Sequence, residues 1–529
     1  MKSKSNIIKY FFIIFAIGII IFAIYKINSK EENNLNNEAA EPQATEKAES
    51  ILNIGISDFD NINPLITKNK DIISLSTILY EPLLKLTENY EIENCLAEEW
   101  SKTDRTVYLV KLKDGLKWED GSSVTGEDVK YTIEKLQEGK SVYSDNVKNI
   151  KSVEIIDGNT IRINLKKEEP FFEYNLIFPI VSSSQFKNED FYKSRLAPKA
   201  TGMYKVTAAT GEYIELEQNE NWREAGQTER KITKVIVTFF DTMGDAYNSL
   251  KIGNIDLVCT SNTNVEEYIG TIGFGTKEYK GRELDFISIN CEEGVLAHKE
   301  VRQAINYAID KNKINSSVFS NNYYVSSFPI DYGNYLYPKE SKSNYSQEKA
   351  KKVLEDAGWE YRYGYWRKTE DYVTEYLEFN LVVDSSNETR VKVAELIEEQ
   401  LEDIGINVYL YRVSNSGYKS YLEDKDYDMI ITGVNNGYSP DLSYFFGKDN
   451  IANYKNEEIQ GILNDIKNIS DKNLLTEKYN RIIEIYEDEM PYICLYRNRE
   501  KIVYSIRLTG EIAPNNYTAY SNFENWYRQ

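Results

Sequence analysis

Two periods of apolar residues, one strand-like and one helical, meet in the stretch LAEEWSKTDRTVYLVKLKDGLKWEDGSSVTGEDVKYTIEKL, residues 96–136. Residues 106–112 are β-branched and aromatic, which predicts a strand, and Lys113-Asp114-Gly115 supplies the small polar residues of a turn. Trp118 precedes a second turn at Glu119-Asp120-Gly121. Thr125-Gly126-Glu127-Asp128 sets a hydroxyl three residues ahead of a carboxylate, the order in which both satisfy orphan amides at a helix start. Val129, Ile133 and Leu136 fall on one face of the helix so begun.

The same reading predicts strands at 51–56, 160–165, 212–217, 234–240, 284–290, 407–413, 428–434 and 490–496. Helices are predicted where Val301, Ala304, Ile305 and Ala308 share a face, and from Ser346 as N-cap to the glycine stop at Gly358. A further helix carries Val393, Ile397, Leu401 and Ile404 and closes at Gly405, and two more are expected near 459–469 and 475–486. Strands alternating with helices place the chain in the α/β class. At the N-terminus, residues 10–25 form an uninterrupted apolar run behind Lys2, Lys4 and Lys9. With Ile7, Ile8 and Ile27 added it reaches roughly the 30 Å of a hydrocarbon core. No small-residue cleavage pattern follows it, so it reads as an uncleaved membrane anchor with the lysine side in the cytoplasm, a cleaved signal being the rival. Residues 28–50 carry no apolar period and read as a flexible tether.

Composition narrows the function. A chain of 529 residues should divide into two or three lobes, and 41% hydrophobic residues mark it as folded. The net charge of −21 repels polyanions, and outside the N-terminus no basic run overrides it, so nucleic acid is not expected as a partner. His298 is the one histidine, which removes a histidine-rich metal site and leaves no triad to assemble. Cys95, Cys259, Cys291 and Cys494 are widely spaced with no C-x-x-C pair, and a Cys259–Cys291 bridge is one of several open possibilities. The 42 tyrosines reflect either codon bias or an aromatic-lined cleft.

The wording of residues 113–129, with Lys113, Gly115, Trp118, Asp120, Gly121, Val124, Thr125, Glu127, Asp128 and Val129 in order, resembles a known signature. It is that of the peptide/nickel class of extracellular solute-binding proteins that feed ABC importers, which writes K-x-G-x-x-W-x-D-G and then V-T-x-E-D-V. Asn63-Pro64-Leu65, Glu81-Pro82-Leu83-Leu84, the run 201–206, the step at 253–256 and the helix from Val301 to Asp310 resemble further motifs of that family, in its order. The resemblance covers about residues 51–505. It implies a type II periplasmic-binding-protein-like α/β fold of cluster C, with two large lobes and an extra lobe around a hinged cleft. Lobe one would be 51–80, 199–283 and 495–529, lobe two 81–198 and lobe three 284–494, with a peptide held mainly through its backbone as the lobes close.

The family's cleft walls correspond here to the loop carrying Lys68, Asn69, Lys70 and Asp71, and to Thr432, Gly433, Val434, Asn435, Asn436, Tyr438 and Asp441. The family usually writes G-W-x-x-D-Y-x-D-P in the second wall, its first aspartate anchoring the peptide's ammonium. This chain has Val434 and Gly437 at the tryptophan and aspartate places and keeps Tyr438. A buried ammonium without a carboxylate costs on the order of several kcal/mol, so another acid should serve or the ligand should lack that amine. Asn435 and Asn436 read equally as turn residues or ligand contacts, and Asp441 as a contact or as a turn or helix cap. The resemblance implies a monomeric, non-enzymatic, cofactor-free and metal-free cell-surface subunit that hands a peptide or similar small solute to an ABC permease; the family's members in single-membrane bacteria are commonly lipoproteins, whereas the apolar run of this chain reads as a single-pass anchor. Its first cysteine, Cys95, lies too far along for lipid attachment at the N-terminus. A membrane-anchored sensor on the same fold is the alternative.

Overall fold

The computed structural model describes residues 50–187, 190–262, 264–292, 294–330, 333–338, 345–469 and 471–529. The apolar run predicted to anchor the chain and the tether up to residue 49 lie outside them. Among the described residues no helix is long and apolar enough to cross a membrane.

An eleven-stranded mixed sheet runs through the molecule. Six elements surround its middle: β1 (Ile51–Ser57), α1 (Lys70–Leu75), β2 (Leu257–Thr260), β3 (Phe274–Ile289), β4 (Met429–Asn435) and β5 (Tyr492–Ser505). From one edge the order is Asn407–Val413, Glu378–Asp384, β4, β3, β5, β2, β1, Lys234–Phe240, Tyr213–Gln218 and Tyr204–Ala209, and the eleventh strand, Tyr324–Val325, pairs with β5 off this path. Neighbours within each outer half include parallel pairs, β1 with β2 and with Lys234–Phe240 on one side, Glu378–Asp384 with β4 on the other. Gly55, Ile56 and Ser57 of β1 and the run MIIT of β4 are buried at successive positions, as in strands covered on both faces.

Three large hydrophobic cores are separate. One joins β1 to the C-terminal end of the chain through Leu52, Val235, Leu257, Phe523 and Trp526. A second fills the four-stranded sheet Ala97–Asp104, Val107–Leu112, Thr160–Leu165 and Ile150–Ile155 and its covering helix Gly126–Leu136. The expected helix start forms, with the Thr125 amide donating to the Asp128 carboxylate at 3.0 Å, and Val129, Ile133 and Leu136 all point into that core. Trp118 packs there too, and the turns before and after it use positive φ at Gly115 and Gly121. The largest core lies within residues 284–496 and is built on β3, β4 and β5.

β3 and β5 pair antiparallel from Phe274↔Ser505 to Ser288↔Tyr492, and this ribbon passes from one core to another. At one end β5 pairs with β2, at Leu257↔Tyr504 through Thr260↔Lys501; at the other β3 pairs with β4, at Glu283↔Asn435 through Ile289↔Met429. The register breaks where β3 reaches the β4 attachment, between Lys280 and Leu284, and again within it, between Asp285 and Phe286. Bulges bend and twist a strand, so the ribbon is kinked where it leaves one core for the next.

The cysteine question is answered: all four thiols are free, Cys95, Cys259 and Cys494 buried and Cys291 half-buried. A Cys259–Cys291 bridge is not formed; Cys259 lies in β2 within one core, and Cys291 packs against another.

Candidate functional site

Both sequence-predicted walls converge on the kinked middle of the β3–β5 ribbon. The first is the loop after β1. Asp60 holds it by accepting from the Thr67 hydroxyl and, at 2.7 Å, from the Lys68 amide, which leaves the Lys68 side chain exposed. Asn69 is occupied by the fold: its side-chain oxygen caps α1 by accepting from the Asp71 and Ile72 amides, and its amide donates to the Ser57 and Asp58 carbonyls. Lys70 reaches across to β5 and pairs with both oxygens of Glu500 at 2.9 and 3.0 Å. Glu500 sits opposite Tyr279 of β3.

The second wall is β4 and the turn after it. Thr432 is buried opposite Phe286, and Val434 packs on the largest core opposite Leu284. Gly433 lies over the Asp285–Arg390 ion pair (2.6 Å), and a Cβ there would collide with both charged groups. Asn435 is exposed. The Asn436 amide donates to the Arg282 carbonyl at 3.1 Å, the Arg282 guanidinium returns a bond to the Asn436 carbonyl at 2.6 Å, and the Asn436 side chain donates to the Pro329 carbonyl. Asn436 therefore locks the wall to β3.

Tyr438 is the hub. The Arg282 guanidinium lies 4.0 Å from its ring centre, Tyr90 and Tyr517 meet the ring edge-on at 5.5 and 5.7 Å, and its hydroxyl donates to the Asn516 carbonyl at 2.7 Å. Asp441 points the other way. Its carboxylate accepts from the Ser443 amide and hydroxyl at 2.9 and 2.6 Å at the start of a short helix, the turn-or-cap role.

Backbone geometry leaves one side of the end of β4 open. Because the Asn436 amide faces β3, the two-residue period of a strand turns the backbone groups of Gly433 and Asn435 to the opposite side. Pairing with Glu378–Asp384 on that side ends at Val382↔Ile430, so the last residues of β4 have no strand beyond them there among the described residues.

Sequence reasoning missed the partners that unite the walls: Arg282, Tyr279, Glu500 and Tyr517. They come from the ribbon and the C-terminal segment, far from the wall residues along the chain, and no local spacing announces such pairings. Beside α1, at the C-terminal ends of β1 and β2, opens a cavity of about 550 Å³ lined by Asn69, Lys70, Asp71, Tyr247, Thr260 and Asn262, among others. Strand carboxyl ends are where open α/β sheets form ligand crevices. Burial, opposed by Lys70 and reinforced by Glu500, lifts the Asp71 carboxyl to about 6. Burial likewise pushes the Tyr279 and Tyr517 phenols well up, and Tyr279 lies within electrostatic reach of both Asp71 and Tyr438. A second cavity, of about 410 Å³, lies between residues 81–95 and the C-terminal segment. Its buried acid Glu81 is already committed to Arg223 at 2.9 Å and Trp222 at 3.2 Å. Among the described residues no group of His, Cys, Asp and Glu is placed to hold a metal ion.

The model of the bacterial extracellular solute-binding proteins, family 5, matches residues 91–455, more than half of the chain. The chain belongs to that family. It is similar to the oligopeptide-binding protein AppA of Bacillus subtilis, with 25% identity over 538 aligned positions covering 96% of this chain and 97% of the relative. The heme-binding protein A of Haemophilus influenzae is 24% identical, covering 86% and 88% of the two chains. Among solved structures, the unliganded open form of the periplasmic murein tripeptide binding protein MppA superposes with a TM-score of 0.79 at 18% identity, covering 91% of this chain and 98% of that one. The fold is thereby the mixed α/β, type II periplasmic-binding-protein-like one expected from the sequence.

Proposed function

We propose that this protein is the substrate-binding subunit of an ABC importer, which captures an oligopeptide or similar small solute and passes it to a membrane permease without chemistry of its own. The observation that carries this reading is the unpaired backbone edge of β4 at Gly433 and Asn435, facing away from β3 at the kinked ribbon. An extended peptide can add to such an edge as one strand adds to another, which gives affinity with little demand on its side chains. Family membership and the similarity to an oligopeptide-binding protein support the same solute class.

In this reading the three large cores are the lobes expected from the sequence, and the ribbon is the hinge between lobes one and three. Lys68, Asn69 and Lys70 border the cleft on one side and residues 432–441 on the other. Of these, Tyr438 and the free backbone of Gly433 and Asn435 meet the ligand; Asn69, Asn436 and Asp441 hold the walls in shape. The subunit works as a monomer outside the cell, held by the N-terminal apolar run as a single-pass anchor. With one histidine it is a poor receptor for a bare metal ion.

Calorimetry of the full-length protein against mixed peptides four to nine residues long, chosen as about the length such a cleft spans, tests the reading. Binding with compaction of the particle in small-angle scattering supports it; no binding overturns it. Binding that leaves peptide uptake by the cell unchanged when the gene is deleted would favour the sensor instead.

A further inference from the structure

Five carboxylates are buried among the described residues: Asp71, Glu81, Asp128, Asp256 and Asp384. Four have partners. Glu81 pairs with Arg223 at 2.9 Å, Asp128 accepts from the Ser183 amide and hydroxyl at 2.8 Å, Asp256 binds Asn53 and Arg528 at 2.9 and 3.1 Å, and Asp384 accepts from Asn415 at 2.7 Å. Asp71 is the exception. It is 8% exposed, and no hydrogen bond reaches its carboxylate among the described residues; only its backbone amide is bonded, to Asn69.

An unpaired buried carboxylate is costly, and fewer than a few such groups persist in a fold without a reason. Its surroundings supply none from within the chain. The neighbouring Lys70 ammonium is spent on both oxygens of Glu500. The Tyr247 hydroxyl is bonded to the Thr260 hydroxyl at 2.6 Å, which also accepts from the Asn262 amide at 2.9 Å. Asp71 lines the cavity beside α1. Counting Asp71 and Glu500 against Lys70, this corner carries an excess of one negative charge.

We propose that Asp71 receives a primary ammonium group of the ligand in that cavity. The inference rests on the peptide reading above and deepens it. Asp441, the acid of the facing wall, is engaged by the Ser443 amide and hydroxyl and does not compete for that cation. A cation beside Asp71 would offset the burial that now holds its proton on to about pH 6. The groups facing it are Lys70 on α1, Glu500 on β5, Cys259 on β2, Tyr279 on β3, Tyr247 on the helix Met243–Lys251, and Tyr520 near the C-terminus. Burial pushes the Cys259 thiol and the three phenols up, which leaves Asp71, Lys70 and Glu500 as the charges in play near neutrality.

The test compares full-length wild type with Asp71→Asn, using two peptide pools of the same composition, one with free α-amines and one N-acetylated, and cadaverine as a small diamine. Wild type should bind the free-amine pool about tenfold more tightly than the acetylated one, the effect of one charge-assisted pair. Asp71→Asn should bind both pools alike, at the wild-type affinity for the acetylated pool. Wild-type affinity for free amines should fall as pH drops from 7.5 to 5, while the variant stays flat. Equal binding of both pools by wild type, or a preference that survives in the variant, overturns the Asp71 assignment and leaves the peptide reading standing. If neither pool binds but cadaverine binds to wild type and not to the variant, the ammonium site holds and the peptide reading fails; if none of the three binds, both fall.

Discussion

Replacing Asp71 by asparagine should stabilise the ligand-free protein, and by an amount that depends on pH. Burial lifts this carboxyl from 3.8 to about 6, so the folded state prefers the neutral form. The stability gained from that protonated form is complete below 3.8 and is lost as pH rises through about 6. Over that span wild type loses up to ~3 kcal/mol, at ~1.4 kcal/mol for each pH unit separating the two values. Asparagine removes the charge but leaves a buried amide with few partners, at a cost of ~1–2 kcal/mol. The net expectation is a gain of ~1–2 kcal/mol at pH 7.5 that vanishes, or turns slightly negative, at pH 4.5. Urea unfolding of ligand-stripped protein, followed through its six tryptophans, gives the comparison directly. A variant that is less stable than wild type at pH 7.5, or equally displaced at both pH values, would mean that Asp71 has a partner inside the fold, and the reasoning from its isolation would fail.

Other substitutions probe the frame of the site. Gly433→Ala drives a Cβ into the Asp285–Arg390 ion pair, and a loss of up to about 3 kcal/mol is expected in thermal or urea melts. Gly202→Ala places a Cβ 2.6 Å from the Ile78 carbonyl oxygen and 2.7 Å from the Leu79 carbonyl carbon, neither of which is a side chain that can swing away; the melting midpoint should fall at least as far. Tyr438→Phe removes one hydroxyl bond to Asn516 and should cost about 1 kcal/mol, whereas Tyr438→Ala also gives up the Arg282 contact and two aromatic edges and should shift the particle toward a larger radius of gyration in solution scattering. Ellman titration should find the buried Cys95, Cys259 and Cys494 unreactive in the native protein and four thiols once it is unfolded, with no change in melting temperature on adding a reductant.

Much of the architecture could be read along the chain, because local chemistry and final packing agree there. The strand at 160–165, the helix opened by Thr125 and Asp128, the Ser346 cap and the stops at Gly358 and Gly405 all stand where the pattern puts them. The long ribbon was only half legible. Leu284 to Ile289 is apolar and reads as a strand, but its first half, FGTKEYKGRE, is polar and glycine-broken, and only pairing with β5 makes it extended. The C-terminal strand likewise runs nine residues past the predicted 490–496, through Arg497 to Ser505, where charged residues hide the period. The three short strands between Glu360 and Tyr376 form a small sheet of their own with several exposed tyrosines, and nothing in the surrounding pattern marks it.

The candidate site was legible as two separate segments and not as a place. Lys70 belongs to the loop read from the sequence, yet its partner Glu500 is more than four hundred residues away in sequence. Tyr438 kept its aromatic, but what gives the ring a role is Arg282, Tyr90 and Tyr517, each from a different part of the fold. Asn69 and Asp441 are polar residues near helix starts, where local bonds compete with ligand contact for the same oxygen; Asn69 caps its helix and Asp441 closes a turn onto Ser443. Asp71 stands in the predicted loop, but its isolation is a property of burial and of the bonds its neighbours make elsewhere.

Mass spectrometry of whatever is retained by the full-length protein when it is taken gently from its own cells, then released by denaturation, reaches the central claim most directly. A mixture of short peptides of varied sequence, free at the amino end and narrow in length, is the expected result of a cleft that grips backbone along β4 and an ammonium at Asp71. A retained molecule with no peptide bonds, such as a porphyrin or a metal chelate, would contradict it.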